Sequence, residues 1–140
     1  MDVFVYGTLT DPAQVTRVVS EFEFRGPATL DGLHQVEGEY PTLAPCGEVS
    51  GRVLRTTEIE ALDAYEGVER GLYVRVSVPW NEERTDREVA VYVGDPGALG
   101  ADAEWPGDGS FADRVRQFVR EEAVVVRSRD SEEVDEREES

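Results

Sequence analysis

The sequence predicts a small α+β domain whose sheet is curled or closed into a barrel. Its 140 residues suit one domain that can bury its own core. About six stretches have the alternation of strands, and short helical patterns are scattered among them instead of following each strand. No stretch approaches the roughly 18 consecutive apolar residues of a membrane-spanning helix, so we expect no membrane span.

The composition is acidic along the whole chain. The net charge is −17, and all 14 basic residues are arginines. So negative a chain argues against nucleic-acid binding, which requires a basic patch. Because the acidic residues are spread along the chain, adaptation to a high-salt cytoplasm explains them better than a cation-binding role does.

The start of the chain and its cysteine content indicate a cytoplasmic protein. Asp2 follows Met1, and no basic segment precedes an apolar run, so no signal peptide is expected. Cys46 is the single cysteine, which excludes an intramolecular disulfide and leaves too few thiols for a cysteine-based zinc site.

The first half of the chain is predicted to contain strands and one short helix. Asp11 and Pro12 have the N-cap and first-turn pattern of a helix, and Gln14 completes a capping box. Prolines restrict residues 38–45 to an edge strand or a loop. The predicted strands are residues 2–6, a stretch within 21–36, and 49–55, where Gly51 indicates a bulge or close packing.

The second half alternates helices and strands. Thr57 begins a helix by a second capping-box pattern, and Gly67 ends it. Ser110 caps a later helix with one apolar face. The other predicted elements are strands at residues 72–80 and 89–93, a polar connection at 81–86, and a Gly- and Asp-rich loop at 94–109.

The composition changes near the end of the chain. The last 13 residues carry seven acidic and two basic side chains and a single apolar one, Val134. Such a segment buries too little apolar surface to fold. We therefore predict a domain at residues 1–127 and a disordered acidic tail at residues 128–140.

Glu66 is the strongest candidate for acid–base chemistry. It lies in the last turn of a predicted helix, just before Gly67, where the helix dipole disfavours an anion. The dipole and apolar neighbours would both raise the pKa of this carboxyl, as a general base working near neutrality requires. Composition alone favours an ordinary solvated glutamate, since the chain has many carboxylates.

The loop after the first strand is a candidate binding loop. It consists of Tyr6, Gly7, Thr8 and Leu9. A strand that ends at glycine before a helix exposes several backbone N–H groups, which can hold a carboxylate or a carbonyl oxygen. The Thr8 hydroxyl would be a further donor. A tight turn without a ligand has equal weight, because the loop lacks the glycine spacing of a dinucleotide-binding loop.

Other candidate residues fit less well. His34 is the only histidine, so a Ser-His-Asp triad or a multi-histidine metal site is nearly impossible. Cys46 has no nearby basic group to activate it as a nucleophile. Tyr73, Arg75 and Tyr92 occupy the strand faces opposite the valines, where they could line a pocket or face solvent.

Five short segments, in this order, resemble the gamma-glutamylcyclotransferase-like family, of the gamma-glutamylamine cyclotransferase or AIG2-like type. They are Val-Phe-Val-Tyr-Gly-Thr-Leu at residues 3–9, Tyr-Pro-Thr-Leu at 40–43, Leu-Asp-Ala-Tyr-Glu-Gly-Val at 62–68, Tyr-Val-Arg-Val-Ser-Val at 73–78, and Val-Tyr-Val at 91–93. The resemblance covers about residues 2–94.

The resemblance implies a small mixed-sheet β-barrel with short flanking helices and a pocket at residues 6–9. It implies an enzyme that cleaves a small-molecule gamma-glutamyl amide by cyclisation, releasing 5-oxoproline and a free amine, without a metal or cofactor. In that reaction Glu66 would be the catalytic general acid/base. The substrate-binding residues would be Tyr6, Gly7, Thr8, Leu9 and Tyr73.

Two alternatives belong to other functional classes. The first is a non-catalytic module that uses the same pocket to bind a small carboxylated metabolite or a peptide end. The second is an interaction protein that works through the acidic tail. The sequence indicates neither the leaving group nor a residue that selects it. Glutathione, gamma-glutamyl amino acids, gamma-glutamyl amines and gamma-glutamylcysteine-type thiols all remain candidate substrates.

Overall fold

The computed structural model describes residues 1–38, 40–82 and 85–128, without the side chains of Thr8, Glu82, Thr85 and Asp86. The strands are β1 Asp2–Val5, β2 Glu23–Val36, β3 Thr42–Arg55, β4 Tyr73–Glu82, β5 Thr85–Gly94 and β6 Val125–Ser128. The helices are α1 Pro12–Val18, α2 Ile59–Glu66, α3 Pro96–Leu99 and α4 Phe111–Glu121, and Thr8–Thr10 form a 3-10 turn.

The strands close into a barrel in the order β1-β3-β2-β6-β4-β5. β1 completes the ring by pairing parallel with β5, where Val3 faces Ala90 and Phe4 faces Val91. The β4–β6 pair is also parallel, and the remaining pairs are antiparallel. The predicted mixed-sheet β-barrel with short flanking helices is therefore confirmed.

Strand β1 is buried on both faces because it lies between two apolar clusters. Phe4 points into the cluster inside the barrel. Val3 and Val5 point the other way, into an outer cluster that includes Val15 of α1 and Leu62 of α2. Side chains alternate along a strand, so this one strand joins the barrel interior to the helices that flank it.

Close packing at Gly51 is confirmed. A Cβ atom at this position would collide with the carbonyl oxygen of Val5 and come within 2.8 Å of the Phe4 ring. The backbones of β1 and β3 can approach this closely only because position 51 carries no side chain.

The predicted helix starts are correct in two cases and wrong in one. The Asp11 carboxylate caps α1 by accepting from the Ala13 N–H at 3.0 Å, and the Ser110 hydroxyl caps α4. Thr57 does not cap α2. Glu58 is the N-cap residue, and its carboxylate accepts from the backbone N–H groups of residues 20 and 21 instead of capping its own helix.

Residues 21–55 contain more strand than the sequence patterns indicated. β2 and β3 are both 14 residues long, and the strand predicted at residues 49–55 continues back to Thr42. Of the two alternatives for residues 38–45, an edge strand is correct for residues 42–45, which pair with β2 while β1 pairs only with residues 52–55. The ladder accommodates Pro45 because the register shifts beside it, with Cys46 and Gly47 both in the positive-φ region. A β-bulge is one of the few places where a strand tolerates proline.

The C-terminal part of the described chain packs against the barrel. Residues 94–109 contain α3, and the Trp105 ring lies edge-on to Phe111 and Phe118. Ser128, the first residue of the predicted tail, is the last residue of β6. The rest of the predicted tail lies outside the described residues. In the part that the structure describes, every helix is too short or too polar to cross a membrane.

Candidate active site

A cavity of about 310 Å³ opens beside the end of β1. Five of the six site residues indicated by the sequence line it, namely Tyr6, Gly7, Leu9, Glu66 and Tyr73. The sixth is Thr8, whose side chain lies outside the described part of the chain. The first strand, the end of α2 and the start of β4 therefore meet at one concave site of the size that small ligands occupy.

The loop at residues 6–9 contributes Tyr6, Gly7 and Leu9 to the wall of this cavity. Gly7 has φ +111°, a conformation that favours glycine, and its carbonyl accepts from both the N–H and the hydroxyl of Thr10. The Leu9 side chain anchors the loop in the outer apolar cluster. Among the described residues, the N–H groups of Gly7 and Leu9 have no acceptor, so they remain available to an oxygen atom of a ligand.

Glu66 is the last residue of α2 and faces the same cavity. Gly67 ends the helix in the left-handed conformation with φ +74°, and the Val68 N–H closes the turn on the Asp63 carbonyl. Burial raises the pKa of the Glu66 carboxyl from its ordinary 4.5 to about 7. The carboxyl end of the helix dipole acts in the same direction. Near neutral pH this carboxyl can both accept and return a proton.

A hydrogen-bonded pair of residues holds α2 against the sheet. The Tyr92 hydroxyl donates to Asp63 Oδ1 at 2.6 Å, and Arg75 Nε lies 3.3 Å from the same oxygen. Asp63 is three residues before Glu66 on the helix, so the two side chains lie on neighbouring positions of one face. This contact therefore positions the end of α2 that carries Glu66.

All five tyrosines of the chain line the cavity. The Tyr6 hydroxyl donates to the Tyr92 carbonyl at 2.6 Å, and the Tyr73 hydroxyl donates to the Pro41 carbonyl at 2.8 Å. Burial raises the pKa of Tyr6, Tyr73 and Tyr92, and the nearby Glu66 charge adds to each rise. The hydroxyls are therefore neutral with their hydrogens engaged, and Tyr6 and Tyr73 offer a ligand only oxygen lone pairs.

Several lining residues were missed or left open by the sequence analysis. Tyr40, Tyr65 and Arg70 line the cavity, although the sequence analysis did not indicate them as site residues. For Tyr92 the sequence analysis left open whether the side chain lines a pocket or faces solvent, and it lines the cavity. The tyrosines had a usable signal, because all five fall inside the motifs that resemble the family, and three of them are next to Gly7, Pro41 or Glu66. Arg70 lies between two motifs and had no such signal.

The two other candidate residues lie away from this cavity. His34 Nδ1 is 2.8 Å from the Cys46 carbonyl oxygen, and both residues are exposed beside the bulge of β3. Neither lines the cavity. The residues that the sequence indicated for acid–base chemistry and binding, and that the structure brings together, are those of the cavity beside β1.

Fold and site together define a class: a small closed mixed barrel in which a buried carboxylate and a glycine loop face one tyrosine-lined cavity. Residues 3–111 match the family model described as gamma-glutamyl cyclotransferase, AIG2-like. The chain belongs to this family.

Two curated relatives come from Arabidopsis thaliana. AIG2-like protein A is 37% identical over 98 residues, which cover 64% of this chain and 58% of that protein. AIG2-like protein C is 37% identical over 76 residues, which cover 49% of this chain and 44% of that protein. The chain thus matches about half the length of these curated relatives.

Solved structures share the fold. A gamma-glutamyl cyclotransferase superimposes with a TM-score of 0.59 at 17% identity, over 86% of this chain and 79% of that one. A solution structure of an Arabidopsis thaliana protein superimposes with a TM-score of 0.52 at 30% identity, over 86% and 83% of the two chains. The first likeness, at its low identity, concerns the fold alone.

Proposed function

We propose that this protein is a gamma-glutamylcyclotransferase that releases 5-oxoproline and a free amine from a small gamma-glutamyl compound. The observation that carries the proposal is the Glu66 carboxyl, whose pKa is raised to about 7 in the cavity that residues 6–9 also line. Family membership gives the reaction class, and the cavity supplies groups suited to it.

The reaction is an intramolecular acyl transfer. Glu66 accepts a proton from the α-ammonium of the glutamyl group, and the resulting amine attacks the γ-carbonyl carbon. A bond forms between the α-nitrogen and this carbon, and the bond from the carbon to the leaving nitrogen breaks. The α-nitrogen loses a second proton as it becomes the amide nitrogen of the ring. Glu66 passes both protons in turn to the leaving nitrogen, which departs as an ammonium group. The substrate supplies its own nucleophile, so the protein needs no activated serine or cysteine.

The cavity has groups for both charged ends of the glutamyl moiety. The N–H groups of Gly7 and Leu9 are donors for a carboxylate or carbonyl oxygen. Glu66 and the hydroxyl oxygens of Tyr6 and Tyr73 are acceptors, which suits an ammonium group. Holding the two ends in place brings the α-nitrogen close to the γ-carbonyl carbon and favours ring closure.

The test is release of 5-oxoproline from a panel of gamma-glutamyl amino acids and amines. We expect Glu66→Gln to lower kcat/KM by about 10²- to 10⁴-fold, the range typical of a lost general acid/base. Glu60→Gln is the matched control, because it removes the same charge from the exposed first turn of α2. Equal turnover by wild type and Glu66→Gln would refute the role of Glu66. Saturable binding without product would indicate a binding module instead.

A further inference from the structure

Arg70 is a cation on the wall of a cavity in a strongly acidic chain. It lines the cavity, and its side chain is exposed to solvent. The ion pairs of the described residues involve five other arginines, Arg25, Arg55, Arg75, Arg87 and Arg127. Within the described residues Arg70 has no carboxylate partner, although the chain carries 31 acidic residues.

The backbone holds Arg70 in a compact turn directly after α2. The N–H groups of Arg70 and Leu72 both donate to the Gly67 carbonyl, at 3.1 and 3.0 Å, and the Gly71 N–H donates to Val68. A Cβ atom on Gly67 would lie 3.0 Å from Arg70 Nη2, so the guanidinium rests over the α-carbon of that glycine. The charge therefore lies beside the residue that follows Glu66.

The position of Arg70 differs from that of the groups assigned to the glutamyl moiety. Glu66, Tyr6 and Tyr73 are at least partly buried, whereas Arg70 is exposed like the side chains of Tyr40 and Tyr65, which are 55% and 40% exposed. These three exposed side chains form the mouth of the cavity. A substrate whose glutamyl moiety lies against Glu66 would place its leaving group on this exposed side of the cavity.

We propose that Arg70 selects substrates whose leaving group carries a carboxylate beside the scissile amide, which makes gamma-glutamyl amino acids the preferred class. This inference rests on the proposed cyclotransferase function. The guanidinium presents a planar set of donors that matches a carboxylate in two-point contact. The amides of Gly7 and Leu9 already provide donors for the glutamyl moiety, and Arg70 provides a separate cation for a second anionic group.

The test compares two substrates that differ only in the charge of the leaving group, gamma-glutamylglycine and gamma-glutamylglycinamide. For each protein, the ratio of the two kcat/KM values measures the preference for the carboxylate. We expect Arg70→Gln to lower this ratio about ten-fold, the low end for a charge-assisted hydrogen bond because the guanidinium is exposed. Arg70→Lys keeps the charge but loses the planar donors, so its ratio should be intermediate.

Arg17→Gln is the matched control. Arg17 is an exposed arginine of α1 that does not line the cavity, and its substitution changes the net charge by the same amount. We expect this variant to keep the wild-type ratio. A ratio in Arg70→Gln that equals the wild-type ratio would overturn the inference, whether both kcat/KM values stay the same or both fall by the same factor. Equal losses would instead assign Arg70 to the glutamyl moiety that the two substrates share.

A binding experiment separates this inference from the proposed function. Titration calorimetry measures the affinity of both dipeptides for two proteins, the single variant Glu66→Gln and the double variant that carries Glu66→Gln and Arg70→Gln. If wild type forms no 5-oxoproline but the carboxylate preference in binding depends on Arg70, the proposed function fails and the selectivity stands. If neither dipeptide binds or turns over, both fail.

Discussion

The buried carboxyl of Glu66 should destabilise the folded protein at neutral and alkaline pH. Its folded-state pKa of about 7 lies above its ordinary value of 4.5, a difference of about 2.5 pH units. Between these two values the folded state keeps a proton that the unfolded chain has lost, so the free energy of unfolding falls as pH rises. At about 1.36 kcal/mol per pH unit, the full cost is about 3 kcal/mol above pH 7.

The substitution Glu66→Gln removes this ionisation and therefore its pH dependence. The free energy of unfolding of the variant minus that of wild type should increase by about 3 kcal/mol between about pH 4 and about pH 8. The measurement is urea unfolding of both proteins across that range, in about 1 M salt, where a Debye length of about 3 Å screens the repulsion of the acidic chain. Other titrating groups contribute to both proteins and cancel in the difference.

The Glu60→Gln variant controls for the change in net charge on the same helix. A stability difference between Glu66→Gln and wild type that stays constant from acid to alkaline pH would refute the reasoning. It would mean that the carboxyl of Glu66 titrates alike in the folded and unfolded chains, and it would remove the physical basis for its role as a base near neutrality.

Three further predictions follow from the site and the barrel. In wild type, kcat/KM for 5-oxoproline release should rise about ten-fold per pH unit below about pH 7 and then level off, because Glu66 must be ionised to accept a proton. A kcat/KM that does not change with pH in this range would contradict the role of Glu66. Tyr92→Phe removes the hydroxyl bound to Asp63 and should lower the free energy of unfolding by about 1–2 kcal/mol, together with the turnover rate. Gly51→Ala should cost about 2–3 kcal/mol in urea unfolding because strands β1 and β3 must separate, whereas Gly97→Ala, with 3.5 Å of room, should be nearly neutral.

The features that sequence could predict depend on short-range interactions. Gly7 and Gly67 each occupy a backbone conformation that favours glycine, and Asp11 caps the helix that begins at the next residue. Such signals depend only on neighbours along the chain, so the turn at the cavity and the position of Glu66 at a helix end could both be inferred.

The features that escaped prediction depend on contacts between distant segments. The long strand β3 includes Pro45 only because its bulge lies opposite a register shift in β2, and the parallel closure of β1 on β5 joins segments almost ninety residues apart along the chain. Arg70 and Tyr40 come from different loops and reach one cavity mouth only after the barrel has closed. No local sequence pattern encodes contacts between segments that are so far apart along the chain.

The placement of the aromatic residues separates two spectroscopic signals. The tyrosines all line the cavity, whereas Trp80 and Trp105 both belong to the large apolar cluster that contains Phe4 and residues of α4. Replacing tyrosine uniformly with fluorotyrosine would therefore place every fluorine nucleus on the cavity wall, where its resonance responds to an arriving ligand. Tryptophan emission from the same sample would follow the integrity of this large apolar cluster, so ligand occupancy and unfolding can be recorded independently without introducing a labelling site.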